Sequence, residues 1–294
     1  MNNSKPADYY LGVDAGGTNC RARLEAADGR LLGSAAVGPA TIRRGADFAA
    51  KSIKACITET ITSAALPPAI LANTSLVVGA AGTESSGNTD KLAEMLAKSG
   101  LQKISVTSDA RTACIGAHGG RDGGIVIVGT GSIGYALIGC EPFRVGGHGF
   151  PVSDLGSGAH IGLAAVQQAL APTGISHPPS KFATAILGII GTANDQIARW
   201  SATATATDYA QFAPTVVEHA GKGDTVAKHI LANAASHITE LVAALHNRGA
   251  PRISLMGGLS TIIAPRLDKK IQALLSKPLG DPIDGAIVLA RRLQ

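Results

Sequence analysis

Two glycine turns, each fed by a β-type run, constrain this chain more than any other feature. The first is LGVDAGGTN, Leu11 to Asn19; the second is VGTGS, Val128 to Ser132. The apolar run Tyr9–Val13 delivers Asp14 at its end, and Gly16, Gly17 and Thr18 follow at once. Glycine lets a backbone turn tightly and brings its N–H groups against an anion with no Cβ in the way. A carboxylate beside such a turn offers a hard oxygen ligand to a divalent cation while the amides face phosphate, which is what a magnesium–nucleotide requires. Two such turns, more than a hundred residues apart, could grip one triphosphate from both sides, which points to an ATP-using enzyme.

At 294 residues the chain has room for two medium domains, and a hydrophobic content of 45% supplies their cores. Aromatic residues make up only 3%, too few for a platform that stacks nucleic-acid bases. The net charge of +5 is spread over pairs such as Arg43–Arg44, Lys269–Lys270 and Arg291–Arg292, with no basic block, so no nucleic-acid partner is expected. Cys20, Cys56, Cys114 and Cys140 are widely separated, which supports neither a zinc nor a redox motif and fits a reduced, cytoplasmic setting. The opening MNNSKPADYY has no apolar signal core. The most apolar window, Gly124–Cys140, is interrupted by glycines and falls short of the ~20 residues of a membrane span, so no membrane partner is expected.

Along the chain, Tyr9–Val13, Arg21–Ala27 and Leu31–Val37 read as strands, the last two joined at Asp28–Gly29. Ala46–Ala65 has helical spacing and stops before Pro67–Pro68. Ser75–Val78 and Ile104–Thr107 read as strands, Thr89–Ser99 as a helix, and Ser108 or Asp109 caps a helix running to about His118. A second lobe opens in the same way, with Ile125–Val128, a turn, and Ile133–Ile138, a faint duplication of architecture. Helices are expected at Gly158–Leu170, Lys181–Ile190, Asp208–Ala220 and Asp224–Arg248, a strand at Ile253–Met256 and a closing helix at Ile283–Arg292, with a loop across Pro172–Pro179.

Each polar residue in these turns has a structural and a chemical reading. GTGSIG, Gly129–Gly134, matches a dinucleotide fingerprint, but that motif must open a helix. The residues that follow are those of a strand, so a phosphate-gripping hairpin is the better reading. Asp14 is either a turn-stabilising aspartate or a metal carboxylate. Asp109 sits where a strand ends and a helix begins; it is either a plain cap or a general base for an attacking hydroxyl, and open α/β sheets do present ligands at strand carboxyl ends. Asp154, in FPVSDLGSGAH, is a cap or a partner for substrate hydroxyls. His118, His148 and His160 are given no chemistry. The P-loop pattern GxxxxGK[ST] is absent from the sequence.

With those residues in view, the chain resembles the sugar-kinase/heat-shock/actin superfamily, and within it the BadF/BadG/BcrA/BcrD-type kinases of N-acetylglucosamine and glucosamine. DAGGT (Asp14–Thr18) is similar to the family's first phosphate motif, SDARTACIGAH (Ser108–His118) to its catalytic-aspartate segment and GTGS (Gly129–Ser132) to its second phosphate motif. GGHGFPVSDLGSGAHIG (Gly146–Gly162) is similar to the sugar-binding segment, MGGLS (Met256–Ser260) to the adenosine motif, and DPIDGAIVLA (Asp281–Ala290) to the closing helix. The resemblance implies an α/β, two-lobed ribonuclease H-like (actin-like ATPase) fold, each lobe a mixed sheet flanked by helices, with the active site in the cleft. The lobes would be 1–118, with 281–294 packing back on it, and 119–280.

Carried over by position, the resemblance makes Asp109 the base for a sugar 6-hydroxyl and Asp14 the holder of Mg2+ through water. Gly16, Gly17, Thr18, Gly129, Thr130 and Gly131 would bind the ATP phosphates, and Gly257 and Gly258 its adenosine. Thr41, Gly147 and Asp154 would bind the amino sugar. Thr41 stands where the family leads one to expect asparagine, and His148 where animal N-acetylglucosamine kinases carry a bulky aromatic, so the acetyl preference stays open. Segments Thr41–Arg44, Ala81–Ser85 and His148–Val152 are where that preference would be set. A homodimer is implied as well. Two other readings share the fold: an activator ATPase of an acyl-CoA dehydratase system, which bridges an iron–sulfur cluster through paired cysteines, and a non-catalytic sugar-sensing regulator, which needs an added DNA-binding domain.

Overall fold

Strand β1 (Tyr9–Ala15) runs into the first glycine turn and comes back as β2 (Cys20–Ala26), which folds at Asp28–Gly29 into β3 (Leu31–Val37). The computed structural model describes residues 7–83, 88–171 and 179–293. The chain divides into unit 1, Met1–Gly123 with Pro278–Gln294, and unit 2, Gly124–Lys277.

In unit 1 the sheet order is β3-β2-β1-β4-β5, with β4 (Thr74–Ala80) and β5 (Lys103–Ser108) parallel to β1. One face is covered by α1 (Ala46–Ser63) and α2 (Asn88–Ala97). Buried positions at Ala46, Ala49, Ala50, Ile53, Ile57 and Ile61 recur at helical spacing, which is why α1 lies flat on Leu11, Val13, Leu24, Leu76 and Val78. The other face carries α3 (Asp109–His118) and the C-terminal helix (Pro282–Ala290), whose Ala286 and Ala290 pack on Val77. These two helices cross backbone against backbone. A Cβ on Gly116 would lie 2.9 Å from the Asp281 carbonyl carbon, and one on Gly285 would lie 2.6 Å from the Gly116 amide. Gly12 of β1 is likewise close to the Ile283 carbonyl. No residue with a side chain fits these places without parting the helices.

Unit 2 repeats the first four strands: the order β8-β7-β6-β9 places β6 (Gly123–Val128), β7 (Ser132–Ile138), β8 (Glu141–Gly146) and β9 (Ile253–Met256) as β1, β2, β3 and β4 are placed in unit 1. β9 is parallel to β6, and β8 antiparallel to β7. Helices α4 (Gly158–Leu170), α5 (Lys181–Ile190), α6 (Asn194–Thr203), α7 (Ala206–Ala210), α8 (Ala213–Gly221) and α9 (Thr225–Asn247) build the core around Ile161, Phe182, Ile186, Phe212, Ile238 and Leu245.

Three elements differ from the sequence expectation. The single helix expected over Asp208–Ala220 is two, because Pro214 has no N–H to give and its ring opposes the carbonyl four residues back; it sits instead in the first turn of α8. Strand β8 and helix α6 were not expected. Pro142 weakens the strand pattern of β8, and an edge strand tolerates it. Helix α6 has no fully buried residue; only Ile197 and Trp200 rest on the core, too short an apolar stripe to mark a helix in sequence. The loop expected at Pro172–Pro179 falls, up to Pro178, outside the described residues, as do Glu84 and Ser85. Among the described residues, no helix is long and apolar enough to cross a membrane.

Candidate functional site

In unit 1 the polar residues gather at the carboxyl edge of the parallel strands. Ala15 of β1 pairs with Ala80 of β4, and Ala80 with Ser108 of β5, so Asp14 and Asp109 come to the same sheet edge, two strands apart laterally (about 10 Å) and with Asp109 two residues further along. The first turn closes with the Gly16 amide donating to the Asn19 carbonyl (2.9 Å). The amides of Gly17 and Thr18 have no backbone acceptor among the described residues, both residues are exposed, and nothing lies within 4 Å of where a Gly17 Cβ would be. That is an open pair of donors suited to an anion.

Asp14 lies opposite Arg21 across the β1–β2 hairpin, and its Oδ2 accepts from Arg21 Nη2 at 2.7 Å. The hydrogen bond to Asp14 holds the Arg21 guanidinium above its ordinary pKa, against the effect of its partial burial. Asp109 opens α3 but does not cap it. Ser108 is the cap, its Oγ accepting from the Arg111 amide at 3.2 Å, while Asp109 Oδ1 accepts from the Ala110 amide at 2.8 Å. Thr41 is buried at 8% exposure, and its hydroxyl is engaged twice: it donates to the Ala81 carbonyl (3.0 Å) and accepts from the Arg43 amide (3.3 Å). This ties Thr41 to the turn that follows β4. One acceptor position is left for a ligand.

In unit 2 the second turn lies beside Asp154, and Gly257 lies against the strand end that feeds it. The amides of Thr130 and Gly131 have no backbone acceptor among the described residues. The carbonyls of Gly129 and Thr130 accept from the Gly158 and Ala159 amides (2.8 and 3.1 Å), so the turn is nailed to the start of α4. Gly131 is a glycine for a packing reason, because its Cβ would be 2.5 Å from Asp154 Oδ2. Asp154 has φ +61°, a left-handed conformation that aspartate tolerates better than most residues, and such local strain concentrates at working sites. Its Oδ1 accepts from the Gly149 amide at 3.3 Å. The loop that carries it is anchored by Phe150, whose ring packs 5.1 Å from Tyr209, itself 4.9 Å from Trp200. Gly147, at φ +69°, gives its carbonyl to Arg144. Gly257, at φ +92°, lies against the end of β6, where a Cβ would be 2.7 Å from the Val128 carbonyl carbon; Gly258 faces open space.

The expected residues thus form two groups, one in each unit. Asp14, Gly16, Gly17, Thr18, Thr41 and Asp109 belong to unit 1, and Gly129, Thr130, Gly131, Gly147, Asp154, Gly257 and Gly258 to unit 2. Sequence reasoning passed over Arg21 and treated Asp281 only as part of a helix. Arg21 is bonded to Asp14, and its Nη1 is 3.6 Å from Asp281 Oδ2. A hairpin centred on Gly17–Thr18 places residue 21 opposite residue 14, so Arg21 could have been found by counting; Asp281, far along the chain, could not.

His118 and His160 have structural roles. His118 is buried against Gly123. His160 Nδ1 accepts from the Gly156 amide at 3.2 Å, and burial, then neighbouring His237, lowers its pKa. Among the described residues, no three His, Cys, Asp or Glu side chains are placed to hold a metal unaided. A magnesium ion that brings its nucleotide's phosphate oxygens and waters needs only one or two protein carboxylates, so Asp14 beside open turn amides fits that use.

Residues 11–290 match the model of the BadF/BadG/BcrA/BcrD ATPase family. The chain is 37% identical over 283 residues to glucosamine kinase of Vibrio cholerae, covering 96% of each chain. It is 30% identical over 166 residues, 55% of this chain and 53% of its relative, to an N-acetylmuramic acid/N-acetylglucosamine kinase of Clostridium acetobutylicum. A Chromobacterium violaceum structure provisionally described as an N-acetylglucosamine kinase superposes with a TM-score of 0.87 at 30% identity, covering 97% of this chain and 99% of that one. With its mixed sheets, paired glycine turns and near end-to-end match, the chain belongs to the BadF/BadG/BcrA/BcrD ATPase family.

Proposed function

We propose that this chain is an ATP-dependent hexosamine kinase that transfers the γ-phosphoryl group to the 6-hydroxyl of glucosamine or N-acetylglucosamine. The observation that carries the proposal is the pair of glycine turns with unclaimed amides, each next to a carboxylate, in a chain related along almost its whole length to a glucosamine kinase.

Phosphoryl transfer asks little covalent chemistry of a protein, so catalysis comes from positioning and charge stabilisation. In this reading unit 1 is the lobe of the first phosphate motif and the base, and unit 2 the lobe of the second phosphate, sugar and adenosine motifs. Asp109 takes the proton of the 6-hydroxyl as its oxygen attacks the γ-phosphorus and the bond to the β-bridging oxygen breaks, leaving ADP. Asp14 holds the divalent cation through water. Magnesium, when bound with ATP, supplies neutralisation of phosphate charge. In the two phosphate turns the Gly16 and Gly129 amides close the loop on Asn19 and Gly131, and the open amides of Gly17, Thr18, Thr130 and Gly131 bind phosphate oxygens, while Gly257 and Gly258 let the adenosine lie close to the backbone. Thr41, Gly147 and Asp154 orient the sugar. A homodimer working in the cytoplasm completes the proposal; light scattering on the purified protein checks the assembly.

The test is ADP release from magnesium–ATP with glucosamine, N-acetylglucosamine, glucose, mannosamine or no sugar. Strong stimulation by one amino sugar, with the phosphate found on its 6-oxygen by NMR, is the expected result. Hydrolysis indifferent to sugar, or none, overturns the proposal.

A further inference from the structure

Asp14 does not hold Arg21 alone. The Arg21 guanidinium lies between two carboxylates, with Nη2 2.7 Å from Asp14 Oδ2 and Nη1 3.6 Å from Asp281 Oδ2. Asp281 also caps the C-terminal helix, but with its other oxygen: Oδ1 accepts from the Ile283 and Asp284 amides at 2.9 and 3.0 Å. The two oxygens of one carboxylate therefore do two jobs, one structural and one directed at the first glycine turn. A second aspartate on the same helix, Asp284, pairs with Arg23, whose partners among the described residues are Asp281, Asp284 and Glu25 and do not include Asp14.

We infer that Asp281 is a positioning residue for the Asp14 carboxylate, acting through Arg21, and that it thereby sets how tightly the nucleotide-bound divalent cation is held. The inference rests on the proposal that Asp14 serves that cation. Two effects work in the same direction. With two carboxylates around one guanidinium, the cluster keeps a net negative charge for the incoming cation; with one, Arg21 neutralises Asp14. Asp281 also gives the guanidinium a second anchor, and without it Arg21 and the carboxylate bonded to it are freer to rotate. Asp14 is the more enclosed partner, its side chain 18% exposed against 42% for Arg21 and 37% for Asp281, so the effect is that of a partly solvated pair and is moderate rather than absolute.

The test uses Asp281→Asn, because asparagine keeps an oxygen for the helix cap and removes only the charge. Manganese binding to the full-length protein with ADP, followed by electron paramagnetic resonance without turnover, is expected to weaken by roughly 3- to 10-fold. The magnesium concentration for half-maximal activity should rise in step while the sugar KM stays put. Asp281→Glu is expected to recover at least part of the binding. If Asp14→Asn weakens manganese binding and Asp281→Asn does not, the inference is overturned and the proposed function stands. If Asp14→Asn has no effect either, the assignment of Asp14 fails and takes the inference with it. If Asp281→Asn lowers thermal stability and the binding of every ligand alike, Asp281 is a helix cap only and the inference is overturned.

Discussion

Replacing Gly285 with alanine sets two physical effects of opposite sign against each other. Alanine is a better helix former than glycine by about 1 kcal/mol, and the C-terminal helix should gain that much. Against it, the new Cβ would stand 2.6 Å from the Gly116 amide nitrogen and nearer still to the Thr112 carbonyl oxygen, where an ordinary contact needs about 3.4 Å. Both neighbours are backbone atoms of α3, so no side chain can swing aside, and the helices must part by about 1.5 Å to clear the nearer of them. Overpacking of this kind costs about 1–3 kcal/mol, occasionally more. The rigid surroundings put this site at the upper end, so the net loss should be about 2 kcal/mol. For a chain of this size that lowers the melting temperature by about 4–8 °C. The control is Gly188→Ala in α5, where a Cβ meets nothing within 4 Å and only the propensity gain of up to ~1 kcal/mol remains. Urea titrations of the two variants beside the parent measure both. A Gly285→Ala protein as stable as the parent, or more so, would refute the close crossing of α3 and the C-terminal helix.

Asp109→Asn should lower turnover at least ~100-fold, the lower bound of what a general base contributes, while sugar binding measured by calorimetry weakens less; unchanged turnover would return Asp109 to a structural role. Gly257→Ala forces a side chain into a left-handed conformation against the Val128 backbone, and should weaken ADP binding by at least ~10-fold while sugar affinity holds; equal affinities for ADP would refute the close approach. His160 has a pKa lowered by burial and by His237, so the folded protein resists its protonation and the unfolded chain does not. Its contribution is therefore fully present above the unfolded value of about 6.5 and lost as the pH falls through that value toward the lowered one. His160→Asn, which keeps an acceptor for the Gly156 amide, should flatten the fall in melting temperature between pH 7 and pH 5. Parallel curves for variant and parent would count against this.

The parts of the molecule legible in the sequence are those set by near neighbours. Strand β1 with its glycine turn, the Asp28–Gly29 hairpin, and helices α1, α4, α5 and α9 each declare themselves by periodicity or turn chemistry within about twenty residues. The glycine positions were legible as turns at Gly16–Gly17 and Gly129–Gly131 but silent at Gly116 and Gly285, because a helix crossing leaves no periodic signal; it needs two small residues that meet only after folding. Asp154 shows the same limit. Its place in a glycine-rich loop could be read, whereas its left-handed backbone and its contact with the Gly131 turn depend on Phe150 and Tyr209 packing in α7's neighbourhood. Helix α6 was invisible because only Ile197 and Trp200 mark its inner side, and β8 because proline masks a short edge strand.

The way the chain threads its two units has a consequence for its synthesis. Unit 2 is one continuous segment, Gly124–Lys277, inserted into unit 1, whose last helix arrives only after that whole segment has been made. A chain that reaches only to Lys277 therefore carries β1, β4 and α3 with one sheet face only half covered, Gly12 and Gly116 waiting for a partner, while unit 2 already has all its residues. Unit 2 can therefore close without the C-terminal helix, whereas unit 1 cannot be completed before that helix docks. A chain truncated after Lys277 should then show a protease-resistant unit 2 attached to a protease-sensitive unit 1, and exposed apolar surface in that intermediate is where chaperones would act.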